Sequence, residues 1–284
     1  MLLRDHMRAT LAGWEQDLSP EWRSFFGGAT PDFAAFHDQF IFAEDHPVIP
    51  PRKSMPLPGA PAGGHIFRVF DGVKPGDVRV LVIGQDPYPK IARATGRAFE
   101  DGAFKGWIGQ VAASLKSLIQ SAAALRLGEP ALGANAAGWP LVKDRIASGA
   151  LDLESVHDYF DRLQQQNGVL FVNAGWTLTR FVSGGSDEQR AHIALWKPLM
   201  TQLLRGLAAR PDKAIVFLLL GKFAQDLFDS AGVRPAAEAS GRWDVAVRRV
   251  DHPHPNAETY FAHPNPLERV NTGLSAMHAQ AVQW

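Results

Sequence analysis

The sequence predicts a single α/β domain, a three-layer α/β/α arrangement around a central four-stranded parallel sheet. Two observations carry that expectation. Four short, continuous, β-branched apolar runs are bounded by turn residues, as strands buried on both faces are. Between them lie longer stretches with helical apolar spacing, and strand–helix alternation of this kind builds a parallel sheet covered by helices.

Taken in order, residues 1–45 read as helical and peripheral, and the Pro/Gly-rich stretch Pro47–Gly64 as an extended linker over the surface. The first strand is Val78–Gly84. Val111, Leu115, Leu118, Ile119, Ala122 and Leu125 then repeat at helical spacing, and Leu151–Gln165 reads as a further helix. The second strand is Gly168–Asn173. Trp196, Leu199, Met200, Leu203, Leu204 and Leu207 mark another helix, in which Pro198 signals a first turn or a kink. The third strand is Ala214–Leu220, followed by a helix over Lys222–Ser230. The fourth, Val245–Val250, alternates apolar and basic residues, which suits an edge strand with one exposed face.

Composition sets limits on function. The 284 residues are 46% hydrophobic and 20% charged, an ordinary globular balance. With no cysteine, the chain has no disulfide, thiolate metal site or cysteine nucleophile. The N-terminus is too interrupted by charge for a signal peptide, and the longest apolar run is far short of a membrane span. The expectation is a cytoplasmic protein that does not engage a membrane. Lys+Arg and Asp+Glu both number 29, so any nucleic-acid contact must come from a local patch.

In open parallel sheets ligands bind outside the carboxyl ends of the strands. That edge receives GQDPYP (84–89) after the first strand, Asn173 ending the second, Gly221-Lys222 after the third and DHPHPN (251–256) after the fourth. A carboxylate, an amide, a glycine–lysine turn and an imidazole converging there suggest a pocket. Asp-Pro and His-Pro are also ordinary turn dipeptides, so each motif alone has a plain structural explanation. The two prolines around Tyr88 stiffen the loop that presents Asp86. His252, His254 and His263 do not make a convincing metal site, because proline follows each of them and restricts its backbone. GGS (184–186) lacks the Lys-Ser/Thr of a phosphate loop and reads as a flexible turn.

With these residues in place, the sequence resembles the uracil-DNA glycosylases, most closely family 1. The carrying segments are PPRK (50–53), VLVIGQDPYP and GRAF (80–89, 96–99), ASLKSL (113–118), GVLFVNAGWTLTR (168–180), VFLLLGKFAQ (216–225) and DHPHP (251–255), in the family's order over about residues 46–275. The resemblance implies a monofunctional enzyme of base-excision DNA repair. It would flip uracil out of single- or double-stranded DNA and hydrolyse its glycosidic bond, with no metal and no cofactor, acting as a monomer.

Residue by residue, the resemblance makes Asp86 and His252 the catalytic pair. Asp86 would orient water and stabilise the cationic sugar, and His252 would hydrogen-bond uracil O2 as the base departs as an anion. Gln85, Tyr88, Phe99 and Asn173 would bind uracil: Gln85 through its backbone, Phe99 by stacking, Tyr88 by excluding a C5 methyl, and Asn173 by reading N3–H and O4. Ser114, His254 and Asn256 would face DNA, and Lys222, where the family commonly has a serine, would add a phosphate contact, with Arg180, Arg248 and Arg249 available for a basic rim.

The match also departs from the family. Pro89 replaces a histidine, Ala112-Ala113 replace two prolines, and Asn256 stands where the family has a leucine that wedges into the duplex. The echo HPNPL (263–267) offers Leu267 as an alternative alignment. His252 is preferred because it follows the fourth strand and leaves Asn271 at about the family's distance. A short polar Asn256 predicts weaker action on duplex relative to single-stranded DNA, and insensitivity to the family's DNA-mimicking protein inhibitor. The alternative functions are a glycosylase of broader damaged-base range and a non-catalytic binder of uracil or abasic DNA. A nucleotide-binding domain is disfavoured for want of a glycine-rich phosphate loop.

Overall fold

The computed structural model describes residues 1–284. In chain order it contains α1 (Leu3–Thr10), α2 (Pro20–Phe26), β1 (Val80–Gly84), α3 (Ala113–Leu127), α4 (Trp139–Ala147), α5 (Val156–Gln165), β2 (Val169–Asn173), α6 (Asp187–Ala209), β3 (Ile215–Leu220), α7 (Lys222–Ser230), α8 (Val233–Ala239), β4 (Val247–His252) and α9 (Pro266–Ala276), with short 3-10 turns between them. The four strands pair in parallel in the order β2-β1-β3-β4.

Every residue of β1, β2 and β3 is buried, which is why their sequences run apolar without alternation. β4 is an edge strand with part of its length exposed, as its alternating basic residues predict. Side chains alternate between two cores. Leu81, Ile83, Leu170, Val172, Phe217 and Leu219 pack with α1, α2, α6, α7 and α8, whereas Val80, Val82, Val169, Phe171, Val216 and Leu218 pack with α3, α4, α5 and α9. This is the expected α/β/α sandwich.

Two expectations need correction. Residues 1–45 are helical but not peripheral: Leu3, Met7, Leu11, Trp14, Trp22 and Phe26 are buried in the first core. Nothing local in the sequence says which sheet face these residues cover. Nor is the 47–64 stretch simply a surface linker. Ile49 exchanges backbone hydrogen bonds with Leu178 at 2.8 Å, and Arg52 is buried in an ion pair with Asp17. Pro198 lies well inside α6, away from its first turn, and is exposed; it removes one backbone hydrogen bond from the helix.

Register sets the site. Gly84 pairs with Asn173, Ile83 with Leu219 and Leu220 with His252. Asn173, Gly84, Leu220 and His252 therefore stand in one row across the carboxyl edge of the sheet.

Candidate active site

A cavity of about 490 Å³ opens at that edge, lined by residues that include Gln85, Asp86, Tyr88, Phe99, Ser114, Asn173, His254 and Asn256. Eight of the ten residues singled out from the sequence thus share one cavity. The other two, His252 and Lys222, do not line it.

Asn173 enters from the last position of β2 and is only 5% exposed. Its neighbour across the ladder is glycine for a steric reason: a Cβ on Gly84 would sit 2.6 Å from Asn173 Oδ1 and 2.8 Å from Ala98 Cβ. Any larger residue would push the carboxamide and the Phe99 loop out of place. Phe99 itself holds a φ of 67°, a left-handed conformation that is strained for a bulky side chain. Strain of this kind persists only where the surroundings impose it, and here they do. The Ala98 N–H donates to Phe171 O at 2.9 Å, and Glu100 is fully buried among Arg97, Arg68 and His157. Burial pushes the Glu100 carboxyl up, but the His157 hydrogen bond and the two guanidinium charges outweigh it and hold the group below its ordinary range.

Tyr88 is fixed from several sides. Its hydroxyl makes a long contact of 3.5 Å to Phe99 O, and the Arg93 guanidinium lies 4.5 Å from its ring centre. Arg93 is in turn clamped by Asp101 at 3.0 and 2.6 Å. Burial raises the Tyr88 hydroxyl pKa, with a Ser114 hydrogen bond opposing it, so the ring stays neutral.

Asp86 has one carboxylate oxygen, Oδ1, that is buried without a hydrogen-bond partner. A Cβ on Gly175 would come within 3.3 Å of that oxygen, so Gly175 leaves room beside it. Burial pushes Asp86 up to about 6, against an opposing hydrogen bond from Gln85. At neutral pH the group is mostly ionised yet poorly solvated, the condition of a carboxylate held ready for a cationic or proton-donating partner.

His252 is the last residue of β4, 1% exposed, and both of its ring nitrogens are buried without a hydrogen-bond partner. Tyr260 packs edge-on at 4.5 Å and His263 at 5.8 Å between ring centres. Burial lowers its pKa to about 4, opposed by the Tyr260 backbone and helped by the nearby Arg269 charge and His263, so the ring is neutral at pH 7. A buried imidazole with two unmade hydrogen bonds is costly and calls for a functional explanation. In the competing alignment, Leu267 is 2% exposed in the second core and His263 is exposed. No group of three His, Asp or Glu residues is placed to hold a metal ion.

The rim is less basic than expected. Lys222 is exposed but paired with Asp226, one turn along α7. Arg249 is shared between Asp229 and Asp251, and Arg248 and Arg249 lie in the first half of β4, away from the cavity edge. Arg180 is exposed beside the cavity and forms no ion pair.

Reading the sequence missed the segment after β2. Phe181, Val182, Gly184, Gly185 and Gln189 all line the cavity, so GGS is part of its wall. The available signal was its position directly after the strand that delivers Asn173. A buried relay fixes this segment: Trp196 Nε1–H donates to Thr177 Oγ1 (2.8 Å), Thr177 Oγ1 meets His192 Nδ1 (2.9 Å), His192 Nε2 meets Thr179 Oγ1 (2.8 Å), and Thr179 donates to Glu188 (2.6 Å). Burial lowers His192 to about 3. A neutral ring with its proton on Nε2 satisfies every member, because each hydroxyl then accepts one bond and donates the next.

The comparisons with known proteins agree with this geometry. Residues 70–283 match the family model described as the uracil DNA glycosylase superfamily, against the 46–275 that the motifs span. The chain is 28% identical over 228 residues to uracil-DNA glycosylase 1 of Streptomyces coelicolor, covering 79% of this chain and 80% of that protein. It is 24% identical over 274 residues to uracil-DNA glycosylase 2 of the same organism, covering 94% and 95%. In structure it is similar to the wild-type UNG of Nitratifractor salsuginis, with a TM-score of 0.60 at 21% identity and 98% of both chains covered. Motif order, cavity and family match converge, and the chain belongs to the uracil DNA glycosylase superfamily.

Proposed function

We propose that this chain is a monofunctional uracil-DNA glycosylase, which hydrolyses the bond between uracil and deoxyribose and leaves an abasic site. The observation that carries the reading is the buried, unpartnered Asp86 carboxylate oxygen at a cavity walled by Phe99 and Asn173. An enzyme acting on a base must take it out of the stack and read its edge in a closed pocket.

In this reading uracil lies on Phe99 with the Asn173 carboxamide at N3–H and O4. Cytosine presents the opposite donor–acceptor pattern, which a fixed amide rejects by leaving buried groups unpaired. Tyr88 stands where a C5 methyl would go, so thymine is excluded by volume. The C1′–N1 bond breaks with its electron pair going to the base, and C1′ becomes oxocarbenium-like. Asp86 stabilises that charge and orients the water whose oxygen then bonds to C1′, the released proton going to solvent. Neutral His252 donates a hydrogen bond to O2 and stabilises the anionic uracil without giving up a proton. Because His252 lies just behind His254 in sequence and off the cavity wall, this role requires the 253–256 loop to shift when the base enters.

Ser114, His254, Asn256 and Lys222 are the proposed DNA contacts, Lys222 after releasing Asp226. Asn256, exposed and polar, makes a poor wedge, so duplex substrates should be cut more slowly than single strands. The same residue leaves a leucine-sequestering inhibitor protein little to grip. The enzyme is read as a cytoplasmic monomer; no helix is long and apolar enough to cross a membrane. A panel of oligonucleotides bearing uracil, thymine, cytosine or hypoxanthine tests the specificity. Release of uracil alone fits the proposal, and comparable release of hypoxanthine would favour the broader glycosylase.

A further inference from the structure

The mouth of the cavity has two unlike rims. On one, Asn256 is held by its backbone N–H to His254 Nδ1 at 3.1 Å. On the other, Phe181 and Val182 are 51% and 39% exposed, and Phe181 is the only aromatic among the chain's exposed large hydrophobic side chains. The other phenylalanines and the tryptophans are at least partly buried, so a ring left in water here stands out.

The ring is not exposed because its loop is slack. Val182 N–H donates to Gln189 Oε1 at 2.9 Å, Gly185 N–H to Val182 O at 2.9 Å, and Arg180 N–H to Glu188 Oε1 at 3.3 Å. Gly184 and Gly185, with φ of 88° and 90°, make the turn, and Ser186 caps α6. The loop is thus fastened at both ends and presents Phe181 outward. Beside it, the Arg180 guanidinium is exposed and unpaired, whereas Lys222 and Arg249 are each neutralised by carboxylates. An outward aromatic next to a free cation is the combination that binds single-stranded nucleic acid, the ring stacking on a base and the cation meeting its phosphate.

We infer that Arg180 and Phe181 form a strand platform at the cavity mouth, Phe181 stacking on the nucleobase next to the one in the cavity and Arg180 contacting the adjoining phosphate. The inference rests on the proposed function for its substrate, a DNA strand. It gives the chain an apolar DNA contact on the rim opposite the position occupied by Asn256.

The test uses a single-stranded oligonucleotide carrying a tetrahydrofuran abasic analogue flanked by 2-aminopurine, which cannot be cleaved. Binding by the parent protein should quench 2-aminopurine. Phe181→Ala should lose the quench and weaken binding about tenfold, and Phe181→Trp should restore both. Arg180→Gln should flatten the slope of log affinity against log salt by roughly 0.7. On a uracil-containing strand, Phe181→Ala should raise KM by a similar factor with kcat within twofold, leaving inhibition by free uracil unchanged. Undiminished quench and affinity in Phe181→Ala would overturn the platform. So would weaker inhibition by uracil in step with KM, which would make the ring a contact of the flipped base and not of its neighbour. If the parent releases no uracil yet binds and quenches, the glycosylase reading fails while the platform stands.

Discussion

Asp86 sits at a cost, and the cost is visible in two quantities that move in opposite directions. With its pKa pushed up to about 6 by burial, the ionised form needed for catalysis is lost as pH falls through 6. The acid limb of kcat/KM should therefore have an apparent pKa near 6, and the limb should disappear with the residual activity of Asp86→Asn. Because the folded-state pKa lies above the unfolded one, the native state binds the extra proton between about pH 4 and 6, and Asp86 subtracts stability above that window. Asp86→Asn should raise the melting temperature at pH 7.5 and leave it unchanged at pH 4. At Tyr88, removal of the ring should open space at the C5 position. Tyr88→Ala is expected to release thymine detectably while uracil release falls, measured on matched oligonucleotides. Asp86, Tyr88 and Asn173 were legible as site residues because each ends a strand or sits in a stiff turn. The positive φ of Phe99 was not legible, since its neighbours Ala98 and Glu100 are held by distant parts of the chain, Phe171 for the one and Arg68 and His157 for the other.

Among the elements, β2 and the segment that follows it do the most to shape the site. The relay from Trp196 through Thr177, His192 and Thr179 to Glu188 ties that segment to α6. Its members all lie within residues 177–196, but the segment after the strand and the helix they belong to must fold back on each other before they stand in line. Thr177→Val keeps the volume but breaks the relay in the middle, leaving Trp196 Nε1–H and His192 Nδ1 unpaired. It should cost about 1–3 kcal/mol in urea unfolding. The N-terminal helices show a similar limit. Their helical character was read from the sequence, yet the destination of Trp22, fully buried against Phe25, Phe26 and Phe70, was not. Trp22→Ala should destabilise the whole protein by roughly 3–5 kcal/mol, since the ring belongs to the core that covers one sheet face.

For the molecule as a whole, the strand pattern was enough to foretell the layers and the edge where the site lies. Strand order and the depth of His252 depend on long-range packing and could not be read locally. Two buried neutral histidines, His192 at about 3 and His252 at about 4, make the fold sensitive to acid. Their folded pKa values lie below the unfolded one, so the unfolded chain binds more protons between those values and about 6.5, and stability falls with pH across that window. Each contributes a slope of up to about 1.4 kcal/mol per pH unit. Melting temperatures from pH 7 to 4.5 should fall steeply in the parent and less steeply in His192→Gln. Uracil release from single- and double-stranded oligonucleotides in EDTA, by the parent, Asp86→Asn and His252→Ala, bears on everything proposed for the site. Alkali-labile nicking at uracil in the parent, faster on the single strand and reduced at least a hundredfold in both variants, is the expected result. Nicking retained in His252→Ala but lost in His263→Ala, or tight binding of uracil-DNA with no nicking by the parent, would contradict it.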